Sequence, residues 1–210
     1  MIMADQTQAA ELVAVARSLF DRGYSFGTAG NISVRAGATI LVTPTGSSMG
    51  SLTADALARV DCAGTVIGDI RPSKEAHFHL AIYRARPECG GVVHLHSTYA
   101  TALACLRELD MEDALPALTP YYAMRVPKLP VVPYLPPGDP ALAAEVEQRA
   151  AGTPSLLLRN HGAIAAGTTL AEAAALAEEL EEAARLYFLL GDRGQPLSAA
   201  QVAELRRRSR

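Results

Sequence analysis

The chain has 210 residues and a formal net charge of −3, with half of its residues hydrophobic and a fifth charged. This length and balance predict one folded domain spanning residues 1–210, and they exclude a disordered chain. The small negative charge gives no general attraction to nucleic acid or to an anionic membrane, and no apolar stretch is long enough to cross a bilayer.

The three cysteines are widely spaced and contain no CxxC pair, so we expect buried free thiols rather than disulfides or a thiolate metal site. The N-terminus lacks the basic start, apolar run and cleavage site of a signal peptide. A cytoplasmic location is the simplest expectation.

In the first part of the chain, apolar spacing predicts a helix over residues 7–22 that ends at Gly23, followed by a turn at 27–31. A hairpin is predicted next, with strands at 32–35 and 39–43 and a second turn at 44–48. A helix start near 53–56 and strand pieces around Gly64 follow. The next helix is predicted from Ser73, whose hydroxyl can cap it, to Arg86.

In the second part, a short apolar strand at 92–96 precedes a helix at 98–107. Segment 115–140 holds eight of the thirteen prolines, which predicts loop or edge strand rather than helix. Helices at 140–151 and 169–190 flank strands at 155–158 and 163–165, and the arginine-rich end at 206–210 is expected to be a solvated tail. This alternation of helices and short strands predicts an α/β sandwich over a mixed sheet.

A metal site is predicted from three histidines and one carboxylate. His94 and His96 are two residues apart on a predicted strand, so both imidazoles point to the same sheet face and can bind one ion. His161 follows another strand, where a turn can present a side chain at the end of the sheet. Glu75, in the first turn of a predicted helix, is the best carboxylate to complete the set.

Each of these signals, taken singly, also has an ordinary structural explanation. A His-x-His pair on a strand can face solvent, Glu75 can simply favour the positive end of a helix dipole, and His161 can be a plain turn residue. His79 lies four residues after Glu75 on the same helix face, and we interpret it as a residue that supports the site or as part of the core. His77 is left unassigned.

Four sequence blocks together resemble the class II aldolase/adducin family, whose fold is an α/β/α sandwich with a central mixed, largely antiparallel sheet. The blocks occur in the family's order and are GTAGNISVR at 27–35, TPTG at 43–46, SKE at 73–75, and VVHLH at 92–96 with NHG at 160–162. The resemblance implies a catalytic Zn²⁺, or another divalent ion such as Mn²⁺ or Co²⁺, bound by Glu75, His94, His96 and His161.

The same resemblance implies a site for the phosphate group of a substrate. Turns with exposed backbone amides and the N-terminus of a helix suit such an anion. Lys74 stands where the family's aldolases have a second serine, and it adds a positive charge beside the phosphate or a substrate carboxylate. The implied phosphate contacts are Gly30, Asn31, Thr45, Gly46, Ser73 and Lys74.

The implied reaction breaks a C–C bond beside a ketone through a metal-stabilised enediolate, with Glu75 moving the proton. Segments 94–102, 118–125 and 133–140 resemble the 3-oxo-tetronate 4-phosphate decarboxylase branch, which releases CO₂ and dihydroxyacetone phosphate. Tyr121 and Arg125, in the proline-rich segment, are candidate substrate contacts. No tyrosine follows Tyr187, so the mobile C-terminal tyrosine of the aldolases has no counterpart here.

Three alternatives stay open at this point. The chain could be an aldolase that cleaves a ketose phosphate such as L-fuculose 1-phosphate, a sugar-phosphate 4-epimerase, or an interaction module of the adducin type. Retention of all four ligand types argues against the last. The resemblance further implies a homotetramer with active sites at subunit interfaces, acting on a small sugar-acid phosphate rather than on nucleic acid or a membrane.

Overall fold

The computed structural model describes residues 3–136 and 138–208, which form one seven-stranded sheet with helices on both faces. The strands are β1 (Asn31–Ala36), β2 (Thr39–Val42), β3 (Ala58–Asp61), β4 (Gly91–Leu95), β5 (Val131–Val132), β6 (Ser155–Leu158) and β7 (Gly162–Gly167). The α-helices are α1 (Met3–Asp21), α2 (Ala76–Ala85), α3 (Thr98–Ala104), α4 (Pro120–Arg125), α5 (Pro140–Ala150), α6 (Leu170–Leu190) and α7 (Ala199–Arg208). Short 3₁₀ turns lie at Met49–Ser51, Ala54–Ala56 and Gly191–Arg193.

The sheet is mixed and largely antiparallel, as predicted. Its strand order is β3-β2-β1-β4-β7-β6-β5, and β5–β6 is the parallel pair among otherwise antiparallel neighbours. β4 occupies the middle of this order, between β1 and β7. The end of β4 is therefore surrounded by structure on both sides, which suits a buried site.

Alternation along β4 separates the two faces of the sheet. Val93 and Leu95 belong to the core cluster that contains residues of α1, α3 and α6, whereas Val92 belongs to the cluster that contains α2 and α5. Because successive side chains in a strand point to opposite faces, His94 lies on the same face as Val92, towards α2.

The helix α2 begins three residues later than the sequence predicted. The hydroxyl of Ser73 accepts a hydrogen bond from the backbone N–H of Glu75 at 3.2 Å, so it stabilises the turn before the helix rather than the first helical turn itself. Ala76 is the first helical residue and Glu75 immediately precedes it. The carboxylate of Glu75 is thus held at the end of a helix whose N–H groups favour negative charge.

The prediction that segment 115–140 lacks a helix was wrong at α4. The hydroxyl of Thr119 accepts a hydrogen bond from the N–H of Tyr122 at 3.2 Å and caps the helix. Pro120 occupies the first turn, where proline is tolerated because its missing N–H would have no partner within the helix. A high proline count therefore excluded a long helix but not one short helix that starts at a proline.

The prediction of a solvated tail at 206–210 was wrong for Arg206, although Arg207 and Arg208 are exposed, and residues 209–210 lie outside the described part of the chain. Residues 199–208 form α7, which packs against α4. The guanidinium of Arg206 donates hydrogen bonds to the carbonyl oxygens of Ala123 at 3.0 Å, Val126 at 3.2 Å and Pro127 at 2.8 Å. These carbonyls lie at the C-terminal end of α4, where cations are favoured.

Two further expectations concern the thiols and the membrane. Cys62, Cys89 and Cys105 are all free, as expected, but Cys89 alone of the three is buried. None of the helices in the described part of the chain has both the length and the apolar character needed to cross a membrane.

Replacing Arg206 with alanine is expected to lower the free energy of unfolding by about 1–2 kcal/mol, because several carbonyls at the end of α4 lose a charged donor. The matched control is Arg207→Ala, since Arg207 pairs with Glu204 on the exposed side of α7 and its loss is expected to cost less than about 0.5 kcal/mol. Urea denaturation of both variants measures the difference. Equal losses of unfolding free energy in the two variants would contradict the role of Arg206 in holding α7 against the end of α4.

Candidate metal centre

Two of the predicted ligands lie at the end of β4. His94 is fully buried and is in register with Asn31 of β1 and Ile164 of β7, while His96 follows the last residue of the strand. Their Nε2 atoms are 2.9 Å apart. The period of two along the strand therefore brings both imidazoles to one point, as the spacing predicts.

The turn between β6 and β7 brings His161 to the same point. Asn160 has a φ of 55°, in the left-handed region that asparagine tolerates better than most residues. Gly162 is needed for a different reason, because a Cβ there would lie 2.3 Å from the backbone oxygen of Leu95. This close approach of β7 to β4 places the His161 ring 4.8 Å from that of His94, measured between ring centroids.

Glu75 lies at the start of α2, and its carboxylate reaches the three histidines from that helix. Its Oε1 atom is 3.1 Å from Nε2 of His161, and its Oε2 atom is 3.5 Å from Nε2 of His94. The four potential ligand atoms of Glu75, His94, His96 and His161 all lie within 4.8 Å of one another. The structure thus brings together all four residues predicted as ligands.

Hydrogen bonding and burial set the protonation of this cluster. Nδ1 of His94 donates to the carbonyl of Ala163 at 3.0 Å, which leaves the lone pair of the neutral ring on Nε2. Burial lowers the pKa of His94 well below its usual value and also lowers the pKa of His96. Both rings are therefore neutral, and the Nε2 lone pair of His94 faces Nε2 of His96 at 2.9 Å, where a cation could bind between the rings.

Glu75 is held as a carboxylate. Burial by itself would raise its pKa, but hydrogen bonds from His161 and Asn31 and the electrostatic influence of the nearby His94 ring outweigh that effect and hold the pKa of Glu75 below its usual range. Three imidazole nitrogens and one carboxylate oxygen form a donor set that suits Zn²⁺ and related divalent ions. By donor type and spacing, the four residues fit such an ion.

A groove of about 290 Å³ opens beside the cluster, with Glu75 and His96 in its wall. All six residues predicted to contact phosphate line this groove. Thr28 and Ser47 also line it and add two hydroxyl groups that the sequence-based prediction did not include. Their positions inside the turns predicted at 27–31 and 44–48 were the signal that could have identified them. The predicted residues that line the groove are Gly30, Asn31, Thr45, Gly46, Ser73 and Lys74.

Gly30 explains why the groove lies so close to the cluster. Its φ is +78°, and a Cβ at this position would lie 2.8 Å from the backbone oxygen of His94. A residue with a side chain would be strained there and would push the loop away from β4. Glycine therefore lets the loop before β1 pack directly against the strand that carries His94 and ends just before His96.

The other two histidines have different surroundings. His79 is fully buried, and its Nε2 atom lies 2.6 Å from Oδ1 of Asn31 rather than in the cluster. Burial lowers the pKa of His79 to about 3, so the ring is neutral. His77 instead donates from Nδ1 to the carbonyl of Lys74 at 2.8 Å.

Within one chain, the structure does not bring Tyr121 and Arg125 to this groove. Tyr121 is 66% exposed on α4. Arg125 lines a separate cavity of about 390 Å³ together with Cys89 and Glu172. That cavity lies near the opposite end of β4 from His94, and no histidine is among the described residues that line it. Its greater volume therefore does not make it the stronger candidate for the reaction.

The sequence is similar to those of several known proteins. A family model described as Class II Aldolase and Adducin N-terminal domain matches residues 10–188. The chain is 47% identical to 3-oxo-tetronate 4-phosphate decarboxylase of Haemophilus influenzae over 210 residues, covering 99% of this chain and 100% of that protein. It is 36% identical to L-fuculose phosphate aldolase of Methanococcus maripaludis over 182 residues, covering 87% of this chain and 97% of that protein.

A solved structure shows the same fold throughout. The crystal structure of YgbL from Escherichia coli aligns with a TM-score of 0.94 and 45% sequence identity, covering 96% of this chain and 99% of that chain.

Proposed function

The chain belongs to the class II aldolase and adducin family, and we propose that it is a divalent-metal carboxy-lyase acting on a 3-oxo-tetronate 4-phosphate. The products would be dihydroxyacetone phosphate and CO₂. The observation that carries the proposal is the cluster of Glu75 and three histidines beside a groove lined by hydroxyl, amide and ammonium groups. The 47% identity to a relative named for this reaction supports the choice of substrate. We further propose that residues 1–210 act as one domain.

The proposed cofactor is Zn²⁺, with Mn²⁺ or Co²⁺ as alternatives, held by Glu75, His94, His96 and His161. The donor set and the spacing of the four side chains support this assignment. When bound, the ion would supply positive charge beside the substrate's ketone, where negative charge develops as the C–C bond breaks.

The groove is proposed to bind the anionic ends of the substrate. Thr45 and Ser73 offer hydroxyl groups, and the ammonium of Lys74 offers a charge that a serine in its place would lack. The backbone amides of the turns at Gly30 and Gly46 add donors of the kind that recognise phosphate. The positive charge of Lys74 stabilises a substrate that carries both a phosphate and a carboxylate more than it stabilises a ketose phosphate whose other end is uncharged.

The proposed reaction needs one proton transfer. The bond between the carboxylate carbon and C2 breaks, its electron pair passes to C2 and is shared with the neighbouring ketone, and CO₂ leaves. C2 must then receive a proton to become the CH₂OH group of dihydroxyacetone phosphate. Glu75 is the carboxyl group in the groove wall, and we assign this transfer to it. Because Glu75 is a carboxylate, it must take up a proton from solvent before it can deliver one to C2.

We also propose a cytoplasmic homotetramer with active sites at subunit interfaces. Exposed aromatic side chains support it: Tyr121 is 66% exposed and Tyr134 is 58% exposed, and neither lines the groove of its own chain. In an assembly, Tyr121 and Arg125 would lie within reach of a neighbour's groove rather than their own. Light scattering, which gives the mass of the assembly in solution, tests this part of the proposal.

Incubation of the Zn²⁺-loaded protein with 3-oxo-tetronate 4-phosphate is expected to release CO₂ and dihydroxyacetone phosphate in equal amounts. Glu75→Gln is expected to lower kcat by about 100-fold or more, because the amide cannot accept or deliver the proton. Glu88→Gln is the matched control, since Glu88 pairs with Arg86 outside the groove and its loss should leave kcat unchanged. Cleavage of L-fuculose 1-phosphate alone, or epimerisation without CO₂ release, would contradict the proposal.

Lys74→Ser is expected to raise KM for the acid substrate by about 10-fold, equivalent to about 1.4 kcal/mol, because an ammonium partner of the substrate's anionic groups is lost. Lys74→Arg should recover most of the affinity. Lys128→Ser is the matched control, because it removes the same charge from an exposed position outside the groove. An unchanged KM in Lys74→Ser would show that this charge does not serve substrate binding.

A further inference from the structure

Behind the metal centre, polar side chains form a continuous line between the sheet and α2. Glu75, His79 and Tyr83 are four residues apart in sequence and share one face of the helix and the turn before it. Asn31 and Ser33 are two residues apart on β1 and share one face of the sheet. All five residues are buried, with 8% exposure or less. The two faces meet, and their polar groups pair with one another.

The first contacts join Glu75 to His79 through Asn31. The side-chain N–H of Asn31 donates to Oε2 of Glu75 at 2.7 Å. The Asn31 oxygen is 2.6 Å from Nε2 of His79, and because an amide oxygen can only accept, His79 must donate from Nε2. One orientation of the Asn31 amide therefore satisfies both neighbours at once.

The remaining contacts determine which nitrogen of His79 carries the proton. Nδ1 of His79 is 2.8 Å from the hydroxyl of Ser33, and a neutral ring that donates from Nε2 must accept at Nδ1. Ser33 therefore donates to His79, and its oxygen accepts from the hydroxyl of Tyr83 at 3.0 Å. The guanidinium of Arg35 lies over the Tyr83 ring at 4.8 Å and anchors the far end of the line. Every donor in the line points towards Glu75.

We propose that Tyr83, Ser33 and His79 are positioning residues that orient the amide of Asn31 and thereby hold the Glu75 carboxylate in the metal centre. The inference rests on the proposed role of Glu75 as ligand and proton carrier. Its physical basis is the polarity of one contact. If the Asn31 amide turned over, its oxygen would face the Glu75 carboxylate at hydrogen-bond distance, and two acceptors would repel where a donor and an acceptor now attract.

These hydrogen bonds also give Asn31 a structural role, the orientation of Glu75, that the sequence block containing it did not suggest. Asn31 lines the groove, yet its side-chain oxygen and one N–H are occupied by His79 and Glu75. It therefore connects the carboxylate that would move the proton to the surface that would hold the substrate. A disturbance at His79 or Ser33, which do not line the groove, should reach the reaction through Asn31.

The test compares variants at two points of the line with matched controls. Ser33→Ala removes the donor to Nδ1 of His79, and His79→Leu removes the donor to Asn31. His79→Gln is the conservative variant, because its amide N–H can still donate to Asn31. Ser155→Ala is the control for Ser33→Ala, since Ser155 is also fully buried but donates to the carbonyl of Lys128, outside the line.

The first readout is the Zn²⁺ affinity of the metal-free protein, measured by competition with a chelating dye. Ser33→Ala and His79→Leu are expected to bind Zn²⁺ about 10-fold more weakly and to lower kcat by about 10- to 100-fold, since partners behind metal ligands carry effects of this size. KM is expected to stay within about 3-fold of the wild-type value, because the groove is intact. His79→Gln should recover most of the loss, and Ser155→Ala should match the wild-type protein.

The second readout is the His79 tautomer, measured by ¹⁵N NMR on histidine-labelled, metal-free protein. The wild-type ring is expected to carry its proton on Nε2, and Ser33→Ala is expected to populate the other tautomer. If Ser33→Ala fails to fold, Tyr83→Phe is the milder variant, expected to show the same changes to a smaller extent. Equal effects of Ser33→Ala and Ser155→Ala, or wild-type Zn²⁺ affinity in His79→Leu, would overturn the proposal.

These outcomes are distinguishable from failure of the proposed function, because Zn²⁺ affinity and the tautomer are measured without substrate. A protein that releases no CO₂ but loses Zn²⁺ affinity in Ser33→Ala would keep the positioning role and exclude the decarboxylase. If the wild-type protein releases CO₂ and Ser33→Ala and His79→Leu keep the wild-type kcat, the decarboxylase proposal stands and the positioning role is excluded.

Discussion

Burial of the Glu75 carboxylate among three imidazole rings is the constraint on which the rest of this structure depends. A buried charge destabilises a fold unless it is paired and hydrogen-bonded. Here the compensation comes from several elements at once: Asn31 on β1, His94 on β4, and His161 in the turn before β7 all contact or face the carboxylate. β4 is central in the sheet, and Gly30 and Gly162 let neighbouring backbones approach it closely. Both features bring the groups around Glu75 together.

The fold and the cluster could be predicted from the sequence to a large extent, because they follow from local periodicity. A period of two aligned His94 with His96, and the apolar spacing of the helices and strands predicted the layered α/β architecture. The residues alone also suggested His161 and Glu75 as ligands, and the resemblance of four sequence blocks supported these two and added the groove. The short helix α4 was missed because one capping threonine before Pro120 outweighed a high proline count.

What the sequence could not reveal depends on contacts between distant elements. The pairing of Asn31 with both Glu75 and His79 requires the register between β1 and α2, which no local pattern specifies. The docking of Arg206 on the end of α4 likewise depends on where the C-terminal helix packs. In both cases no local sequence pattern marks the polar group. Its role depends on a partner that is 44 or more residues away in the chain.

The central claim is that Glu75, His94, His96 and His161 hold one divalent ion. The most direct measurement is the metal content of the purified protein after loading with Zn²⁺ and dialysis, beside His161→Asn as a folded variant with one ligand removed. Three histidines and one carboxylate predict about one tightly held Zn²⁺ per wild-type chain and a clear loss in the variant. A folded wild-type protein that retains no Zn²⁺, or a variant that retains as much as the wild type, would contradict the claim.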